Sequence, residues 1–238
     1  MRVAQLIDSQ QAPTLTEAEV PRPAPGKGEV LIEVYAAGVT PSELLWYPTS
    51  HKKDGSIRTR AIPGHEFSGV IAQLGDGVEG FSAGEEVFGM NDWFLDGATA
   101  EYCVTVPSSI SRKPARLTHT EAAAVPIGAL TAWQGLLDRA KLQAGERILV
   151  HGGAGAVGLF IIQLARLHGA DVIATASGNN MEFVSQVGAQ RVIDYTTDAF
   201  EQSVRDVDVV FDGVGGETLQ RSWSVLKPGG PPGNDCRR

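Results

Sequence analysis

Cysteine is nearly absent: Cys103 and Cys236 are the only two among 238 residues. Neither belongs to a Cys-x-x-Cys pair, which argues against both a disulfide framework and a structural zinc knuckle. A reducing, cytoplasmic setting is the simplest expectation. Lysine and arginine cluster nowhere and the formal net charge is −8, which disfavours a nucleic-acid or anionic-membrane surface. No run of about 18 apolar residues is present, so no membrane-spanning helix is expected. The first ten residues, MRVAQLIDSQ, lack the apolar stretch of a signal peptide. Aromatics make up only 7%, yet hydrophobic residues reach 42%, enough for a sizeable core in one or two domains.

What is present changes character along the chain. Residues 3–7, 29–39, 69–75, 85–90 and 99–107 read as short strands separated by glycines, and the Pro/Gly-rich 21–28 cannot be a helix interior. That spacing suggests a small barrel or sandwich. Near residue 118 the pattern turns helical: Thr118 and Glu121 form a capping box ahead of an alanine-rich stretch. Pro126-Ile127-Gly128 interrupts, and 129–140 resumes at helical period. Thereafter strands at 147–150, 170–176, 191–194 and 207–212 alternate with helices at 157–169, 179–187, 198–203 and 217–226. Such alternation implies a parallel, doubly wound sheet.

Between the first of these strands and its helix lies LVHGGAGAVG, with Gly153, Gly155 and Gly158 in Gly-x-Gly-x-x-Gly spacing. In this strand–turn–helix setting the spacing points to a dinucleotide. The first glycine makes the tight turn, the second admits a pyrophosphate against the backbone, and the third packs helix on strand. Ala154, Ala156 and Val157 complete the loop, whose helix N-terminus offers unpaired N–H groups to phosphate. A glycine-rich turn without ligand is the bland alternative. The second strand ends ATASGNN with no acid before Glu182, so the usual partner of an NAD ribose is missing. Ser177, Asn179 and Asn180 suit a 2′-phosphate, which favours NADP(H), although no Arg or Lys reinforces them. Tyr195 either packs on the adenosine side or is a plain strand-end aromatic.

These stretches resemble the medium-chain dehydrogenase/reductase superfamily, in its zinc-independent quinone oxidoreductase (zeta-crystallin-like) branch. PRPAPGKGEVLIEVYAAGV (21–39), IPGHEFSGVIAQLGDGVEGFSAGEEVFGM (62–90), AAAVPIGALTAW (122–133), LQAGERILVHGGAGAVG (142–158) and DVVFDGVGGETL…LKPGG (208–230) carry the resemblance. It implies an α/β chain in which residues 1–120 form a GroES-like β-barrel domain for the substrate. Residues 121–230 would form an incomplete Rossmann domain for NADP(H). It further implies hydride delivery to a quinone or another α,β-unsaturated carbonyl. The family is usually homodimeric, and its dimer strands are expected to be missing here.

The resemblance also frames the metal question. Zinc-dependent relatives draw ligands from a Gly-x-Cys-x-Ser/Thr-Asp segment, from the histidine of Gly-His-Glu and from a later cysteine. Here Thr40 takes the first place and AVPIGALTAW has no cysteine, so no metal is expected at His65. Neighbours in an extended segment point apart, so His65 and Glu66 could hardly share one ion. His65 is then a cleft residue or a hydrogen-bonded fold histidine, and Glu66 is expected to pair within the protein. Thr40 offers a hydroxyl, and Ser42 matches the proton-relay hydroxyl of the zinc enzymes. Tyr47 and Trp46 line a flat cleft or belong to core or surface. Thr131 lies near the nicotinamide or simply packs its helix. Asn91, Asp92 and Trp93 are candidates for one wall. No acid/base pair emerges from spacing, leaving the proton to solvent.

After Gly230 the family pattern stops and PPGNDCRR (231–238) follows, an aberrant tail unable to form a central buried strand. The expectation is a truncated gene product with an exposed apolar sheet edge and poor stability. A non-catalytic NADPH binder, or an inactive product of such a gene, is therefore the alternative function.

Overall fold

A computed structural model describes residues 1–7 and 13–228; the expected aberrant tail lies outside them. The chain divides into two units, with the boundary between Ile127 and Gly128.

In the first unit, strands β1 (Arg2–Ile7) and β2 (Thr14–Glu19) form an antiparallel hairpin with Leu6 opposite Leu15. The sequence pattern assigns no strand to residues 14–19; in the hairpin this polar TLTEAE segment is mostly exposed. The main sheet is antiparallel and holds β3 (Val30–Ala37), β4 (Glu66–Leu74), β5 (Glu86–Met90), β6 (Tyr102–Thr105) and β7 (Ile110–Arg112). Their order is β6-β3-β4-β5-β7. Strict alternation fails at the start of β3, where Val30, Leu31 and Ile32 are all buried. The register against β4 shifts between Leu31 and Ile32, and such an irregularity turns consecutive side chains out of phase. Val30, Ile32, Phe67, Ile71, Val87 and Cys103 form this unit's core. The thiol of Cys103, sealed in that core, is pushed up by burial to about 12. Between β3 and β4 run a 3₁₀ turn, Pro41–Leu45, and the short helix α1 (Tyr47–Ser50). Helix α2 (His119–Ala123) carries the capping box: Thr118 Oγ1 accepts from Glu121 N, and a Glu121 oxygen accepts from Thr118 N.

Pro126, expected to interrupt, instead opens helix α3 (Pro126–Trp133). A proline at the first helical positions removes an N–H that has no helical partner anyway. The turn that follows, Gln134–Arg139, is wound as a π-helix. The second unit then alternates β8 (Arg147–His151), α4 (Gly158–Leu167), β9 (Asp171–Ala176), α5 (Met181–Val187), β10 (Arg191–Asp194), α6 (Phe200–Ser203), β11 (Val209–Asp212) and α7 (Glu217–Ser222). Its described strands are parallel in the order β10-β9-β8-β11. Strand β8 is central: Ile148, Leu149 and Val150 show no exposure, so apolar clusters form on both faces of the sheet. Burying each such side chain contributes about 1.5–3 kcal/mol. From β8 the chain steps to β9 and β10 on one side and returns to β11 on the other. The carboxyl ends of β8 and β11 therefore flank the place where strand order reverses, the position at which doubly wound sheets bind ligands.

Candidate functional site

In the second unit the loop after β8 has the form the glycine spacing asks for. Gly153 N donates to Thr175 O at 2.9 Å, pinning the loop to the end of β9. A Cβ on Gly158 would lie 2.2 Å from Gly152 O, so no other residue fits there without moving backbone. No side chain caps the N-terminus of α4, where Leu159 N donates to Gly155 O at 3.1 Å, so its positive dipole end is left for an anionic group. Gly155 and Ala156 are exposed, Ala154 and Val157 partly so, while Gly153 and Gly158 are buried against the strand ends. These features fit a dinucleotide pyrophosphate.

Beyond β9, Ser177 is half-buried, and Asn179 and Asn180 are exposed. Asn180 Nδ2 donates to Ser177 Oγ at 3.0 Å. Tyr195 follows β10 with 60% of its surface exposed. The register of β10 on β9 sets Asp194 beside Ala176. A Cβ on Gly178 would lie 2.7 Å from Asp194 Oδ2. The segment that has no acid in sequence therefore has one in space. The carboxylate is also committed to the local turn, its Oδ1 accepting from Thr196 Oγ1 at 2.7 Å and Thr196 N at 2.9 Å. The Thr196 hydroxyl is the main reason its pKa is lowered. Thr131 lies exposed on α3.

A second glycine loop, residues 213–216, follows β11. Asp212 Oδ1 accepts from Val214 N at 2.8 Å and Gly215 N at 3.0 Å, which closes the turn, while its buried Oδ2 has no partner. Val214 approaches the first loop: its Cγ2 lies 3.6 Å from where a Gly152 Cβ would be.

In the first unit, Thr40 precedes the 3₁₀ turn and is half-buried, Ser42 is exposed, and Tyr47 is 56% exposed with its ring stacked on His51 at 4.2 Å. Trp46 meets Trp93 edge-on at 5.2 Å, and Trp93 tilts against His65 at 5.1 Å. His65 itself is 1% exposed. Its Nδ1 is hydrogen-bonded to Glu43 Oε1, and its Nε2 faces Leu95 O at 3.3 Å. Glu43 Oε1 also accepts from Gly64 N at 2.8 Å. Arg58, likewise buried, donates to Leu95 O at 2.9 Å, Asp96 Oδ1 at 2.8 Å and Pro48 O at 2.9 Å. It thereby ties helix α1 to the loop that carries Trp93. Asn91 is buried, with Nδ2 donating to Val104 O at 2.8 Å, and Asp92 pairs with Lys53 at 2.5 Å.

Glu66 turns away from its neighbour, as adjacent residues in an extended segment do. Its Oε2 accepts from Ile127 N at 2.8 Å in the first turn of α3. Burial pushes its carboxyl above the usual carboxylate range, with the charge of Glu43 adding to the effect. This donor set does not fit a catalytic zinc. Both His65 nitrogens are engaged inside the protein, and the nearest carboxylate already holds two donors. Among the described residues, no group of three or more His, Cys, Asp and Glu side chains could hold a metal ion.

Glu43, Arg58, Asp194 and Asp212 carry much of this geometry, and sequence reasoning passed over all four. Glu43 stands three residues after Thr40, so an acid in that segment was the one available cue.

Comparison with known proteins places these observations. Residues 26–132 match the alcohol dehydrogenase GroES-like domain family, and residues 156–231 match the zinc-binding dehydrogenase family. A probable mitochondrial zinc-binding oxidoreductase of Arthroderma benhamiae is 35% identical over 92% of this chain and 70% of its own length. The 2-methylene-furan-3-one reductase of Solanum lycopersicum is 37% identical over 90% of this chain and 56% of its own. The solved structure of a quinone oxidoreductase from Coxiella burnetii superposes with a TM-score of 0.85 at 31% identity, covering 95% of this chain and 73% of that one. The chain thus spans only part of these relatives, little more than half of the tomato reductase. No helix among the described residues is long and apolar enough to cross a membrane.

Proposed function

The chain belongs to the medium-chain dehydrogenase/reductase superfamily, and from that premise we propose that it is an NADPH-dependent oxidoreductase. In this reading it delivers hydride to a quinone or another α,β-unsaturated carbonyl without zinc. The observation that carries it is the uncapped α4 N-terminus behind a glycine loop in which Gly158 admits no side chain. The relatives named as reductases of enones and quinones support the substrate class.

When bound, the reduced nicotinamide supplies a hydride. The chain's own part is binding, orientation and exclusion of water. The α4 N-terminus and the 153–158 backbone hold the pyrophosphate. Ser177, Asn179 and Asn180 meet the adenosine ribose, with Tyr195 alongside and Thr131 toward the nicotinamide. Thr40 and Ser42 offer hydroxyls to the substrate carbonyl, Tyr47 offers an aromatic face, and His65 acts from behind through the loop that carries Trp93. Hydride adds to the β-carbon of the enone and a solvent proton to the α-carbon, so no buried acid is needed. The misfit of the His65 surroundings to zinc supports the metal-free reading.

The test is NADPH oxidation with a quinone and an enone panel, run beside dinucleotide binding by fluorescence and metal analysis. Turnover at sub-stoichiometric zinc is expected. Binding without turnover would replace the reductase by a non-catalytic dinucleotide binder.

A further inference from the structure

His151 ends β8 immediately before the glycine loop, is 2% exposed, and takes no part in the function proposed above. Thr175 Oγ1 lies 3.1 Å from its Nδ1, and Ser222 Oγ lies 3.0 Å from its Nε2. Counting donors fixes the direction of this chain. Ser222 spends its single hydroxyl proton on Thr218 O at 2.6 Å, one turn back in α7. Ser222 Oγ must therefore accept from His151, which places the ring proton on Nε2. Nδ1 is then bare and accepts from Thr175. A neutral ring satisfies every member of the chain.

The ends of this chain give it meaning. Thr175 also accepts Gly153 N–H through its carbonyl oxygen, so one residue holds both the ring and the glycine loop. Ser222 closes α7, the helix that follows the second glycine loop. His151 pairs with Asp212 across β8 and β11, and a Cβ on Gly213 would lie 3.4 Å from His151 O. One buried ring thus spans the two glycine loops at the point where strand order reverses.

We propose that His151 is a positioning residue that fixes the two glycine loops relative to each other and so holds the dinucleotide cradle in register. The proposal rests on the dinucleotide reading above. The charged groups facing the ring are Asp212 of β11, Arg221 of α7 and Glu201 of α6. Arg221 and Glu201 are paired at 3.1 Å, and the Phe200 ring of α6 closes the site edge-on at 4.5 Å. Burial is the main reason the ring's pKa falls to about 4. The cradle is therefore expected to stay in register down to mildly acid pH.

Two mild variants test this. Thr175→Val removes the donor to Nδ1, and Ser222→Ala removes the acceptor at Nε2. Each is measured for NADPH dissociation constant by fluorescence, for melting temperature, and for hydrogen exchange at the amides of residues 152–158. About tenfold weaker binding is expected in each, the loss of one buried hydrogen bond. The double variant should lose less than the product, because both act through one ring. A purely structural role would lower the melting temperature while leaving binding well below it within about twofold of wild type; that outcome overturns the proposal, as do fully multiplicative losses. Failure of the wild type to bind any dinucleotide would sink the cofactor reading instead. In that case exchange decides: faster exchange of the 152–158 amides in the variants supports His151 as their anchor, and unchanged exchange overturns it.

Discussion

Each unit buries one histidine with both ring nitrogens engaged, but the partners differ in kind. His65 lies between two acceptors, the Glu43 carboxylate and the Leu95 carbonyl. His151 lies between a hydroxyl that donates and a hydroxyl that accepts. The first arrangement couples a ring to a buried carboxylate that also holds a backbone amide. The second is a relay of neutral groups. Truncation should therefore act on the two sites in different ways, although both rings are sealed from water.

The largest expected effect is at Glu43. Glu43→Ala leaves Gly64 N–H and His65 Nδ1 without their buried acceptor, at a cost of about 3–4 kcal/mol, measured by urea denaturation. A loss below 1 kcal/mol would mean that water replaces the carboxylate and that the contrast with His151 is empty. Acid comes next. A histidine whose pKa falls from 6.5 to about 4 on folding favours the neutral folded form, so the unfolded chain binds the extra proton. Stability is then full above about pH 6.5 and falls as pH drops toward 4, by about 3 kcal/mol in all. His151→Asn should flatten that slope; an unchanged slope would assign the acid sensitivity elsewhere. Glu43→Gln keeps one acceptor oxygen but sets an NH₂ among donors, and should cost about 1–2 kcal/mol, clearly less than Glu43→Ala. Equal losses from the two would show that the uncharged amide oxygen contributes nothing at His65 and that the carboxylate charge carries the whole effect. Smallest is Ser222→Ala, about 1 kcal/mol, because only neutral hydrogen bonds are lost and Thr218 O keeps its helical setting.

What could be read in the sequence was whatever chemistry is local in the chain. Gly153, Gly155 and Gly158 sit within six residues of one another, and the strand before and helix after them are equally contiguous. The capping box at Thr118 and Glu121 is local in the same sense. The contacts that shape the sites are not. Glu43 meets His65 across 22 residues and Ser222 meets His151 across 71, and no periodicity announces either. Asp194 is remote from Gly178 in the chain and beside it in space, since parallel strands bring their carboxyl ends to one edge. Pro126 misled because proline breaks a helix interior yet suits its first turn. The hairpin strand at 14–19 carried too few apolar residues to show its pairing.

The bond from Ile127 N to Glu66 bears on how the chain is made. Unit one cannot satisfy that desolvated carboxyl until a residue 61 positions later has been synthesised. A ribosome that has released only the barrel strands presents a half-finished domain with an acid waiting for its donor. A fragment cut at residue 120 would stay in that state, whereas one cut beyond Trp133 carries the whole of α3 and should emerge from translation ready to close.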